Sequence, residues 1–256
     1  MKKLLMWMVV ASICASCQQS SNNADKTTQD VVTLGTADKK SASLVSQSVD
    51  AMGGQAAYDA IDIISWTFFG ARHLVWDKSQ NLVRIDSPRD SSIYLLDMNT
   101  MEGVYAKDGA VEKDAAILKQ KMEKAKSIWI NDSYWLVMPW KLRDPGVSLN
   151  YLRQDTLKNK IVADVLELTF DGVGETPNNK YEVFVDQTDH MIKQWSFFKE
   201  AKQAEPSRVW PWDNYKSIDG IQISFDRSDK SGPSNVRTYD SVDDKVFTSV
   251  EAFDYF

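Results

Sequence analysis

The stretch WINDSYWLVMPWKLRDP, residues Trp129–Pro145, decides how this chain is read. It places Trp129, Tyr134, Trp135 and Trp140 within twelve residues. Pro139 and Pro145 each lack an N–H and restrict the residue before them, so a helix entering this stretch is expected to stop before Pro139. Upstream, Asp114 can cap a helix whose apolar stripe is Leu118, Met122, Ala125 and Trp129, at spacings of 4, 3 and 4. Lys119, Lys121, Glu123, Lys124 and Lys126 fill its other faces, which reads as a solvated surface. The pattern fades at Asn131-Asp132, where a kink or restart is expected. The helix is therefore laid against, or into, a sheet.

On both sides of it the hydrophobic period is two. Ile64, Trp66 and Phe68 alternate with Ser65 and Thr67. Short strands follow at His73–Trp76, Leu82–Asp86, Ser92–Asp97 and Gly103–Lys107, separated by turn residues such as Asp77-Lys78-Ser79 and Asp108-Gly109. After the helix they resume at Val147–Arg153, Ile161–Phe170, Tyr181–Asp186, Met191–Phe198, Ile221–Arg227 and Asn235–Tyr239, with Val246–Phe253 as a closing strand. Tight turns imply antiparallel meanders, because parallel crossovers need a dozen or more residues. A first helix at Ala42–Met52 ends on Gly53-Gly54, and Gln55–Ala60 adds a further turn. The expected fold is mainly β (α+β): a curved antiparallel open half-barrel of about 10–11 strands with helices on its concave side.

The N-terminus reads as targeting. Lys2 and Lys3 precede the apolar run Leu4–Ile13, which is too short to span a bilayer. Cys14-Ala15-Ser16-Cys17 then resembles a bacterial lipobox, with Cys14 where Leu or Val is usual; plain secretory cleavage is the alternative. On the lipobox reading, residues 1–16 are a signal peptide and Cys17 is lipidated. Residues 17–40 are then a polar, disordered tether, and 41–256 form one domain. Gln18 rather than aspartate after Cys17 implies, by resemblance to lipoprotein-sorting systems, passage to the outer membrane. The mature chain would keep only Cys17, so no internal disulfide is possible. Loss of Lys2 and Lys3 takes the net charge from −6 to −8, which argues against nucleic acid as a partner.

The order of elements resembles the LolA/LolB-like envelope superfamily, and within it an uncharacterised Bacteroidetes-type lipoprotein family. The carrying residues are Met52-Gly53-Gly54, the run Tyr134–Leu142, the turn Asp144-Pro145-Gly146, the strand Tyr181–Asp186 and Ile192–Trp195. The resemblance implies a tethered protein that shelters an acyl chain or other hydrophobic ligand, acts in lipoprotein or lipid sorting, and has no catalytic residues, metal or cofactor. Trp66, Phe68, Trp76, Leu118, Met122, Trp129, Trp135, Trp140 and Trp195 are the candidate lining residues. Each is also an ordinary core residue. Two rival readings stay open. Trp140 with Trp210-Pro211-Trp212 could display a glycan- or protein-binding platform if exposed. A hydrolase would need His73 or His190 in a cleft beside a carboxylate. Asp186, Asp189 and His190 otherwise read as a turn, and no nucleophile-elbow, Walker or zincin pattern occurs.

Overall fold

A computed structural model describes residues 34–172, 174–228 and 231–252. The expected signal peptide, Cys17, the expected tether up to residue 33 and Phe253 lie outside the described residues. Two antiparallel meanders are joined by one long helix, as the change of hydrophobic period requires. The first comprises β2 (Ile63–Phe68), β3 (Arg72–Asp77), β4 (Leu82–Ser87), β5 (Ser92–Asp97), β6 (Glu102–Lys107) and β7 (Ala110–Val111). The second comprises β8 (Val147–Thr156), β9 (Val162–Phe170), β10 (Lys180–Asp186), β11 (Ile192–Phe198) and β12 (Arg208–Pro211). Strand β15 (Pro233–Tyr239) returns to pair with β2, giving a seven-stranded sheet in the order β15-β2-β3-β4-β5-β6-β7. Strand β1 (Thr36–Ala37) adds in parallel to β8, giving a six-stranded sheet that runs from β1 through β8 to β12.

A separate hairpin, β13 (Asp213–Ile218) with β14 (Ile221–Asp226), sits between the sheets, touching β11 on one side and β15 on the other. The two sheets and the hairpin therefore follow one another round the molecule, while β7 and β1, at the far ends, do not pair. The architecture is the expected one: mainly β, antiparallel and open. More strands form than the 10–11 expected, because β1, β7, β12 and β13 are short or half-exposed and lack a clean alternation.

Helix α3 (Ala115–Lys141) fills the inside, packing on β5, β6 and β14. Its Asp114 side chain accepts from the amides of Ala116 (2.9 Å) and Ile117 (3.0 Å), the N-cap that the sequence indicates. Close packing at its first half depends on Gly103, where a Cβ would sit 1.9 Å from the Leu95 carbonyl oxygen and 2.6 Å from the Met122 sulfur. Met122 and Ala125 of α3 join Leu74, Ile85 and Leu96 of one sheet and Leu149, Leu166 and Val183 of the other in a single core.

The helix does not stop before Pro139. It runs on to Lys141, and its irregularity falls at Val137 (φ −121°, ψ 23°) rather than at Asn131-Asp132. Proline removes the N–H that would serve the carbonyl four residues back, here Trp135. Arg227 replaces it: its Nη2 donates to the Trp135 oxygen at 2.6 Å. A tertiary donor thus makes good what the sequence denies the helix.

Helix α1 (Lys39–Ala51) packs on β8 and α3. Thr36–Lys40, assigned to the tether from sequence, are instead β1, the cap and the first turn of α1. The Asp38 carboxylate takes the Ser41 hydroxyl (2.7 Å), the amides of Lys40 and Ser41, and the Tyr151 amide of β8 (2.6 Å). Those hydrogen bonds, Ser41 foremost, hold its pKa down at about 2. Helix α2 (Gln55–Asp59) follows Gly53, whose φ of 108° a side chain would resist.

The expected strand at Val246–Phe253 does not form over the described residues. Instead Lys245–Thr248 make a short helix, α4, on the outer face of the seven-stranded sheet. Buried Arg84 captures the carbonyls of Val246 (3.1 Å), Ser249 (2.6 Å) and Glu251 (2.7 Å), and these oxygens are therefore spent on a guanidinium rather than on a sheet edge.

Candidate functional site

Clefts open along this frame, three of them lined by the described residues. The largest of these three, about 650 Å³, lies between the first half of α3 and the β5–β6 turn. Its greasy wall is Met101, Leu118 and Met122, with Gly103 at the back and Lys119, Glu102 and Glu123 at the rim. Leu118 and Met122 stand four apart on one face of α3, so a single helix stripe lines it. Two further apolar side chains near the start of α3 are exposed, Val111 and Ile117.

The smallest, about 90 Å³, lies between the middle of α3 and the six-stranded sheet. Tyr134 and Trp135 approach it from the helix; Phe170, Tyr181 and Trp195 come from β9, β10 and β11. Glu175 and Thr176 stand at its edge on the loop between β9 and β10. The aromatic wall is continuous: Trp195 meets Trp135 at 4.7 Å, Tyr181 at 4.7 Å and Trp210 at 5.5 Å between ring centroids. Burial raises the Tyr134 pKa well above the usual phenol value, and its hydroxyl oxygen is buried without a hydrogen-bond partner.

The third cleft, about 450 Å³, is on the outer face of the six-stranded sheet, over Phe184 and Phe198. Its rim carries the ion pair of Arg153 with Glu182 (2.9 Å).

The nine candidate lining residues are thus divided. Leu118 and Met122 line the large cleft; Trp135 and Trp195 line the small one. Trp66, Phe68, Trp76, Trp129 and Trp140 line none of the three clefts and pack in or against the core, Trp76 edge-on to Trp129 and Trp140 stacked on Tyr58. Trp212 is 1 % exposed and Trp140 6 %, so no glycan platform is displayed by that pair. His73 bonds Thr67 through Nδ1 (2.8 Å), and neither histidine lines any of the three clefts. Asp186 and Asp189 serve turn amides, those of Thr188 and Met191. Among the described residues no group of three His, Cys, Asp or Glu could hold a metal ion, and no helix is long and apolar enough to cross a membrane.

Two arginines that the sequence does not single out fix the rear of α3. Arg72 of β3 grips Asp132 with two hydrogen bonds, 2.7 and 2.8 Å. Burial raises the Asp132 pKa while Arg72 opposes that rise. Arg227 lies face-on to Trp212 at 3.3 Å, and burial pulls its guanidinium down to about 9. Its acceptors are neutral: Trp135 O, Ser224 O and Oγ, and Asp226 O. The proline in the helix was the available signal, since it leaves the Trp135 carbonyl in need of a donor.

The fold and clefts define a class: an open, mainly β envelope for one long helix, with apolar recesses along that helix. No family model and no curated protein matches the sequence. Solved structures do. A DUF1329 family protein from Desulfovibrio piger aligns with a TM-score of 0.42 at 12% identity, over 82% of this chain and 99% of that one. A LolA superfamily protein from Nitrosomonas europaea gives 0.35 at 12%, over 82% and 97%. A protein described as an outer membrane lipoprotein-sorting domain, from Vibrio parahaemolyticus, gives 0.35 at 11%, over 73% and 88%.

Proposed function

We propose that this chain is a non-catalytic cell-envelope lipoprotein, held to the outer membrane through Cys17, that takes up an acyl chain or similar hydrophobic group. The carrying observation is the cleft of about 650 Å³ walled by Met101, Leu118 and Met122. It falls within the range of roughly 300–1,000 Å³ typical of small-molecule sites. Methionine suits cargo of variable shape, because its unbranched, polarizable side chain repacks readily. Each methylene moved from water into such a wall contributes about 0.8 kcal/mol, so even a partly inserted chain binds usefully. Recognition of this kind needs no polar signature, which agrees with the lack of a catalytic motif in the sequence. The N-terminal charge, apolar run and Cys17 support the anchor, and the Bacteroidetes-type kinship read from the tryptophan-rich stretch belongs to the same reading. Sorting or transfer of lipid or lipoprotein is the role that follows.

The test is native mass spectrometry of the full chain extracted from membranes, followed by titration with a fluorescent fatty acid. A co-purified lipid and saturable uptake are expected, with Leu118→Asp lowering affinity on the order of tenfold, since it removes apolar wall and adds a charge. Ligand-free protein and uptake indifferent to Leu118→Asp would sink the proposal. Radiolabelled palmitate incorporated into the wild-type chain and lost in Cys17→Ala tests the anchor separately.

A further inference from the structure

The small cleft is the wrong size for a chain and the right chemistry for something else. Its volume of about 90 Å³ is far below the range usual for drug-sized ligands, so it can receive only a compact group. Five of the ten described residues that line it are aromatic: Tyr134, Trp135, Phe170, Tyr181 and Trp195. The described residues that line it include no lysine or arginine, while Glu175 places an exposed carboxylate at its edge. Ser127 donates a hydrogen bond to that carboxylate from the facing side of α3, which holds it near the mouth.

An aromatic ring presents a negative face, and rings converging on one space attract a cation that has shed its water. An anion would be repelled by both the faces and Glu175. A neutral sugar would need flanking donors and acceptors and more room. The molecule already uses this chemistry internally: Arg227 over Trp212 at 3.3 Å, Lys78 over Tyr58 at 3.9 Å and Lys121 over Tyr105 at 4.5 Å. A weakly hydrated cation is favoured over a metal ion, because half of the described lining residues are aromatic and only one is a carboxylate. The chain's net charge of −6 adds a long-range pull of the same sign.

We propose that the cleft between α3 and strands β9 to β11 is a binding site for a compact organic cation, a trimethylammonium or closely related alkylammonium group. Free solutes and lipid headgroups both carry such a group, and the site's chemistry is the same for either. This goes beyond the acyl-chain reading and does not depend on it.

The experiment follows tryptophan fluorescence of the full chain during titration with choline chloride. Its uncharged carbon analogue, 3,3-dimethylbutan-1-ol, serves in parallel, with potassium chloride as the ionic-strength control. Saturable quenching by choline, with the neutral analogue at least tenfold weaker, is expected. Glu175→Gln, at an exposed position that the fold does not need, should weaken choline by roughly threefold, the size of one exposed charge interaction. Tyr181→Leu, once shown folded by circular dichroism, should weaken it further. Sedimentation with phosphatidylcholine rather than phosphatidylglycerol vesicles would assign the group to a lipid; choline binding without vesicle binding would assign it to a free solute. The proposal fails if choline gives no saturable response, if the neutral analogue binds as tightly, or if both variants bind choline as the wild type does.

Discussion

The two halves of α3 are held in different ways. The first half, Ala115 to about Ile128, lies on the β5–β6 corner through apolar contacts such as Met122 on Gly103, and a large open cleft remains beside it. The second half is clamped by polar bonds at two points: Asp132 to Arg72 in the seven-stranded sheet, and the Trp135 carbonyl to Arg227 beyond β14. Where this half faces β9 to β11, the aromatic side chains are wedged and only about 90 Å³ stays open. Apolar contacts are non-directional and tolerate a gap that cargo can fill. Hydrogen bonds to buried charges fix position and leave little slack. The division suggests a helix with an adaptable front and a rigid rear.

The largest break in that comparison should come from Arg72→Met. Arg72 is partly exposed, but the Asp132 side chain is fully buried, so the substitution strands a carboxylate in the core. Losing one partner of a buried pair costs about 3–5 kcal/mol. Urea unfolding should show it. The double variant Arg72→Met/Asp132→Asn should recover much of the loss, because the stranded charge is gone. If the single variant costs less than about 1 kcal/mol, the rear is not clamped as described.

Next in size is Arg227→Met. It removes the donor to the Trp135 carbonyl and the cation on Trp212, with an expected cost of about 1–3 kcal/mol for the unsatisfied oxygen. Pro139→Ala supplies the missing helical N–H, so it should reduce the cost of losing Arg227. A coupling of about 0.5–3 kcal/mol in the double-mutant cycle is expected. Strict additivity would mean that Arg227 serves its other acceptors and Trp212, and that the kink at Val137 has another cause.

Most of the frame was legible because its signals are local. Period-two runs such as Ile64-Ser65-Trp66-Thr67-Phe68 mark strands whatever lies across from them, and the Asp114 cap with the Leu118–Met122–Ala125–Trp129 stripe marks the start of α3. What was missed depends on distant partners. The continuation of α3 through Pro139 rests on Arg227, which lies 92 residues from Trp135. The helix in place of a final strand rests on Arg84, 162 residues from Val246. Strands β12 and β13 carry Pro211, Asp213 and Lys216 and are largely exposed, so no alternation announces them. The candidate site was legible only as a list of large side chains. Its division into a Met/Leu cleft and an aromatic one is set by which strand each residue faces, and spacing along one helix does not carry that information.

The smallest effect, at the front of the helix, separates the two halves most cleanly. Asp114 is exposed and its carboxylate closes the first turn on the amides of Ala116 and Ile117. Asp114→Ala should cost only about 1 kcal/mol, the usual worth of such a cap. The place where that cost appears is informative. An apolar seat resists fraying weakly, so amide exchange should speed up from Ala116 through about Met122, beside the large cleft. The amides near Trp135, behind the Arg72 clamp, should exchange as in the wild type. A bound fatty acid should slow the front again, because a ligand that seats on Leu118 and Met122 binds only the ordered turn. Faster exchange along the whole helix would show instead that α3 opens as one unit, and the distinction between adaptable front and rigid rear would have to be given up.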